Sequence, residues 1–361
     1  MLDFTSSLYL GFAHPSVTLA PWRALTLGTP AALTELPEAV ALAGELAQLG
    51  GAEAGLLFPS TLHLFRDLFG AVAVKGAMLL IDAKAYPIAR WGTEQVQLLG
   101  TACETYPHYD ADGMAKKARR AFRAGLRPIV VTDGLCPACG RIAPLPQLAR
   151  IAAEYGGQLI VDDTQALGII GRRAGNGAPL GLGGGGTLAW HGLHGPRIYA
   201  GSSLAKGFGA PLAVLLGGAG MIGKIARTGD TRIHTSPPSS ATIAAARAAL
   251  SANATAGDLV RARLFRRIDR LRQGLLRIGM RPLSALPLPI QTISLPAWQS
   301  PREALTALAA CSIRALIIEG CGNRPVLSVI LTARHANSDI DHLIAALASV
   351  LHGTNSDHQT G

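Results

Sequence analysis

Between about residues 36 and 235 helical periodicity alternates with short apolar runs, and this restricts the chain to a small set of folds. Residues 36–49 read as a helix closed by Gly50 and Gly51. Residues 56–58 read as a strand running into Pro59, Ser60 and Thr61, with a helical stretch over 62–74 after it. Strands are expected at 77–81, 96–99, 127–132 and 158–161, and helices around 114–124 and 145–155. Such alternation implies βαβ units, hence an α/β domain with a mostly parallel central sheet flanked by helices. From about residue 286 strands at 290–295 and 326–331 mix with helices at 301–310 and 339–351, the pattern of a smaller α+β domain. The expected organisation is an N-terminal segment over 1–35, a large domain over 36–235 and a small C-terminal domain over 236–361, with a frayed polar tail from His352. The glycine run 181–186 formally satisfies GxGxxG, but no clear strand precedes it and no helical pattern follows, so a flexible loop is expected.

The 361 residues are 49% apolar and 16% charged, which excludes a disordered chain and suffices for a sizeable core. No apolar run reaches the roughly 20 residues needed to cross a bilayer, and the first residues lack the regions of a signal peptide. A cytoplasmic protein without a membrane partner is expected. The net charge of +10 concentrates in 116–120 and 261–281, where Leu264, Ile268, Leu271 and Leu275 recur at helical spacing. A solvated helix face accounts for this, and a dock for coenzyme A or an acyl carrier protein is the alternative. Nucleic-acid binding is not expected, because no aromatic residues interleave with the basic ones. Five cysteines make no disulfide framework. Cys136 and Cys139 form a CxxC, which suits a redox pair or half a zinc site. Without a second CxxC, a structural or pocket-lining role is expected and no metal is assigned.

The chemistry concentrates at strand ends, where open α/β sheets gather ligands. The apolar strand 158–161 ends in Asp162, and the stretch 201–207 is a Ser-rich turn carrying Lys206. An amine able to form a Schiff base, together with a carboxylate able to keep a ring nitrogen protonated, suits pyridoxal 5′-phosphate (PLP). Ser60 and Thr61 open a helix whose N-terminus suits a phosphate, the ordinary alternative being a simple cap. Ser203 stands close enough to Lys206 in sequence to join it. Asp163 alternates to the other face and has a structural reading.

These residues carry a resemblance to the α-oxoamine synthases, fold-type I PLP-dependent transferases of the aminotransferase class I/II superfamily. Residues 2–11 (LDFTSSLYLG) resemble the family's NFSSNDYLGL, 51–58 (GAEAGLLF) its GAEAALLF, and 142–148 (IAPLPQL) its IAPLPEL. Residues 161–168 (VDDTQALG) resemble VDDAHGLG, and 328–340 (SVILTARHANSDI) resemble RISLSAAHTEEDI. The resemblance implies that Lys206 holds the cofactor and moves the α-proton, and that Asp162 pairs with its ring nitrogen. It places Tyr86 where the family stacks a histidine on the ring, and Ser60, Thr61 and Leu62 on the phosphate turn. Asp133 falls at a pocket glutamate, His108 at the histidine of an HND motif, and Gln165 at a histidine near the cofactor oxygen. Thr235 and Ser236 match a phosphate contact supplied by a neighbouring subunit, which implies a homodimer.

Several family residues are replaced. The glycine and tyrosine of the phosphate turn are Thr61 and Leu62, and the carboxylate-binding arginine is Ser328, with Arg324 nearby in sequence. Losing a bidentate arginine is not a conservative change. Residues 172–186 contain an insertion relative to the family pattern. The expected function is condensation of an amino acid with an acyl thioester, carried by coenzyme A or an acyl carrier protein, with loss of CO₂. The alternatives are transamination on the same fold, or a non-catalytic subunit built on it.

Overall fold

The computed structural model describes residues 1–14, 24–175 and 178–352. Residues 353–361 of the expected tail, and part of the expected N-terminal segment, lie outside the described residues. The chain divides into two compact units, one of Phe12–Leu135 and Ile142–Asp258, the other of Met1–Gly11, Cys136–Arg141 and Leu259–Gly361.

The first unit is built on a seven-stranded sheet in the order Ala54–Phe58, Ala213–Gly217, Ile198–Ser203, Gln158–Asp162, Arg127–Asp133, Ala77–Asp82, Ala102–Tyr106. All neighbouring pairs are parallel except those of Ala213–Gly217, which runs antiparallel to both strands beside it. Alternate residues enter two separate cores. Leu80, Val130, Leu159 and Val161 pack on one face, while Leu79, Ile81, Ile129, Val131 and Ile160 pack on the other. A sheet covered on both faces needs apolar side chains at every position, which is why these strands read as continuous runs. Helices Thr61–Val72 and Pro87–Leu98 contribute Phe65, Phe69, Ala89 and Val96 to the second core.

The expected strand at 96–99 is instead the last turn of helix Pro87–Leu98, and the strand falls at Ala102–Tyr106. Of its apolar residues only Val96 enters the core: Leu98 and Leu99 are 89% and 78% exposed. The true strand lies at the sheet edge, with only Tyr106 buried, and shows no apolar run. A short helix, Gly186–His191, also follows the glycine run where no helical pattern was expected.

The second unit carries a four-stranded antiparallel sheet in the order Leu316–Glu319, Pro325–Ile330, Ile290–Ser294, Arg281–Pro282, with helices Pro301–Ala310 and Asn337–His352. Leu2–Asp3 pairs in parallel with Ile313–Arg314. Leu264, Ile268, Leu271 and Leu275 are fully buried, so the helical stripe read in the sequence is a core stripe. Of the basic residues beside it, Arg270 forms a two-pronged ion pair with Asp341, which fits a solvated helix face. Among the described residues no helix is long and apolar enough to cross a membrane.

Candidate active site

Strand register brings the acids together. Asp133 and Asp162 end adjacent parallel strands and are direct partners across the ladder, and Asp162 in turn lies opposite Gly201 on the next strand. Past Ser203 that strand breaks into the turn that carries Lys206. The turn is fixed by close packing: a Cβ on Gly207 would fall 2.4 Å from the Leu167 carbonyl oxygen, so only glycine fits there.

These groups line a pocket of about 200 Å³ with Thr61, Tyr86, Thr164 and Gln165. The Lys206 ammonium sits over the Tyr86 ring, 5.4 Å from its centroid. The Tyr86 N–H donates to Asp133 Oδ1 at 3.0 Å, which ties the start of helix Pro87–Leu98 to the acid. The Thr164 N–H donates to Asp162 Oδ1 at 3.0 Å, and the Thr164 hydroxyl accepts from the Ser203 N–H at 3.1 Å. One threonine therefore orients the acid and holds the strand that leads to the lysine.

Burial dominates the electrostatics. It pushes the Asp162 carboxyl up, against the Thr164 hydrogen bonds and the Lys206 charge that favour the carboxylate. It pushes Asp133 up much further, and the charge of Asp162 adds to that rise. Lys206 is lowered by burial, with Asp162 and Asp133 opposing the shift. The three groups thus share one space in which a further cation would stabilise a carboxylate.

Beside Lys206 the helix Thr61–Val72 points its N-terminus at the pocket through Thr61. Ser60 precedes it without acting as a cap, because its hydroxyl bonds His63 Nδ1 at 2.8 Å instead. The first N–H groups of the helix keep no side-chain cap, which is the state that receives a phosphate.

Of the residues expected at the site, Lys206, Asp162, Asp133, Tyr86, Thr61, Gln165 and Ser203 line this pocket. Ser60 and Leu62 do not, and Leu62 is exposed. Thr235 and Ser236 also lie outside it, the Thr235 hydroxyl donating to the Thr231 carbonyl at 2.7 Å. His108 is held structurally, its Nδ1 2.8 Å from Asp82 and its ring stacked on Tyr109. In the second unit Ser328 sits fully buried in the sheet, opposite Thr292 and Leu316, and Arg324 lies exposed in the turn before it. Sequence reasoning missed Thr164, Ile88 and Leu135 as lining residues. Only Thr164 left a signal, a hydroxyl two positions after a strand-end acid.

The donor set fits PLP. A buried acid can hold a protonated ring nitrogen, an amine can carry the aldehyde, an aromatic ring can stack and an uncapped helix start can receive the phosphate. A strand-end pocket of this composition, on this sheet, defines a fold-type I PLP-dependent transferase. No protein-family model matches the chain. A putative 8-amino-7-oxononanoate synthase of Thermosynechococcus vestitus is 30% identical over 369 residues, covering 97% of this chain and 88% of that protein. The 8-amino-7-oxononanoate synthase of Halorhodospira halophila is 31% identical, covering 96% and 85%. The chain belongs to the α-oxoamine synthase family. Two solved structures share the fold at lower identity. Serine palmitoyltransferase from S. paucimobilis with bound PLP–myriocin aldimine has a TM-score of 0.83 at 18% identity, over 97% of this chain and 87% of that one. The 8-amino-7-oxononanoate synthase of Francisella tularensis has 0.76 at 17%, over 98% of both chains.

Proposed function

We propose that the protein condenses an amino acid with an acyl thioester, forming a bond between the amino acid's α-carbon and the acyl carbonyl carbon. The carboxyl group leaves as CO₂ and the thiol leaves carrying the proton. The observation that carries this reading is the convergence of Lys206, Asp162 and Asp133 in one buried pocket of a chain in this family. PLP, when bound, supplies a sink for the electron pair left on the α-carbon.

The side chains do the rest. Lys206, its basicity lowered by burial, takes and returns the substrate α-proton at Nζ. Asp162, fixed by Thr164, would hold a proton on the cofactor's ring nitrogen, and that pairing would offset the cost of burying the carboxylate. Tyr86 would face the ring, and the N-terminus at Thr61 with Ser203 would hold the phosphate. Asp133, whose hold on its proton burial strengthens, is suited to donate a hydrogen bond rather than present a second negative charge. Gln165 donates through its amide where a proton transfer is not required. A homodimer, with Thr235 and Ser236 reaching the phosphate of the neighbouring site, completes the arrangement.

The test is product analysis with the purified protein. An amino acid and an acyl-CoA, supplied together, should release free CoA and CO₂ in equal amounts. Keto-acid formation from amino acid alone, without CoA release, would favour transamination. Neither product across a panel of amino acids and acyl donors, in a protein that shows no cofactor absorbance, would refute the enzyme reading.

A further inference from the structure

The second unit brings together thiols that the reaction does not use. Cys136 and Cys139 both lie in the loop Cys136–Arg141, and Cys321 sits in the turn between strands Leu316–Glu319 and Pro325–Ile330. Their sulfurs all lie within 4.8 Å of one another, Cys136 Sγ and Cys321 Sγ being 3.6 Å apart. None is in a disulfide. A disulfide needs its two sulfurs at about 2.05 Å and has no use for a third. Thiolates held tetrahedrally at about 2.3 Å from a zinc ion stand about 3.8 Å apart, close to the 3.6 Å between Cys136 and Cys321.

The loop is built to hold its sulfurs still. Cys136 N–H donates to the Arg141 carbonyl at 3.0 Å and Gly140 N–H to the Cys136 carbonyl at 2.9 Å. Gly140 turns at φ 61, and a Cβ there would fall 2.9 Å from the Ser284 Cβ, so the turn takes only glycine. From outside the loop, Ala285 N–H donates to the Cys139 carbonyl at 2.8 Å, and the Thr292 hydroxyl to the Ala138 carbonyl at 3.0 Å. A bound cation would neutralise the charge of thiolates held this close.

We propose that Cys136, Cys139 and Cys321 bind one thiophilic metal ion of the zinc type, with a non-sulfur donor in the fourth position. The ion ties the 136–141 loop to the 316–330 hairpin within one unit, and takes no part in the condensation.

The test uses the full chain purified under reducing conditions without chelators. Elemental analysis should find about one zinc per chain. Cobalt(II) replacement should give intense sulfur-to-cobalt charge transfer, and X-ray absorption three sulfur neighbours and one light atom. Cys321→Ser should weaken zinc binding by at least about 100-fold, Cys321→His should restore much of it, and Cys103→Ser, outside the cluster, should leave it unchanged. Reduced wild-type protein that takes up neither zinc nor cobalt would overturn the proposal. So would a Cys136–Cys321 disulfide in oxidised protein whose reduced form binds no metal, which would make the cluster a redox pair. Because the wild-type measurements decide the matter, a Cys321→Ser chain that fails to fold does not weaken the test.

Discussion

Asp162 and Asp163 are neighbours in the chain with separate duties. Asp162 faces the pocket and is oriented by Thr164, whereas Asp163 faces the other way and accepts from the Thr187 N–H at 2.8 Å and the Thr187 hydroxyl at 2.5 Å. Asp162→Asn keeps an oxygen for the Thr164 N–H but loses the charge that retains a ring proton. It should bind cofactor yet lower kcat by roughly 100- to 10,000-fold, read by steady-state CoA release. Unchanged turnover would move the role to Asp133. Lys206→Ala should remove the visible absorbance that borohydride bleaches in the parent protein, and lower activity by at least about a thousandfold, with far-UV circular dichroism unchanged. At this scale the sequence was informative where a residue's chemistry is its own. Lys206 and Asp162 could be picked out because an amine and an acid at strand ends have few other uses, whereas Tyr86 entered only through the family resemblance. Thr164 could not, because its role is to orient a neighbour. The Ser60 hydroxyl, which looked like a cap, was claimed by His63, a contact that no local pattern announces.

The elements that read correctly are those covered on both sides. Strands such as Gln158–Asp162 declare themselves because each successive residue meets a core. The edge strand Ala102–Tyr106 and the exposed last turn of Pro87–Leu98 were exchanged, because an exposed leucine pair carries no record of its secondary structure. Asp163 links two elements by meeting the first turn of helix Gly186–His191, and burial raises its carboxyl to about 7 from the ordinary 3.8. The folded chain therefore keeps a proton that the unfolded chain has released, between about pH 4 and pH 7. Through that window stability should decline as pH rises, then level off above it. Asp163→Asn should flatten the decline. It should match the parent near pH 4 within ~1 kcal/mol and exceed it near pH 8 by up to about 4 kcal/mol, as measured from urea midpoints across the range.

At the scale of the whole molecule, the unit that holds the cysteine cluster is assembled from three separate stretches of chain. Phe4 is fully buried there, stacked on His335 at 4.4 Å, and its backbone donates to the Arg314 carbonyl and accepts from Ile330 N–H. Phe4→Ala should cost about 3–5 kcal/mol. Hydrogen exchange should show the loss as faster exchange in Ile290–Ser294 and Pro325–Ile330, with Gln158–Asp162 still protected. Uniform acceleration in all three strands would mean that the two units unfold as one. The two-unit division was legible only in part. The change of pattern near residue 286 marks the smaller sheet, but no composition reveals that a six-residue loop near the middle of the chain belongs with it.

The pairing of Leu2–Asp3 with Ile313–Arg314 also bears on biosynthesis. Translation at about 5–20 residues per second separates the two by roughly 15 to 60 seconds. During that interval the leading segment, Phe4 included, is on the ribosome without its mate, exposed to chaperones and proteases.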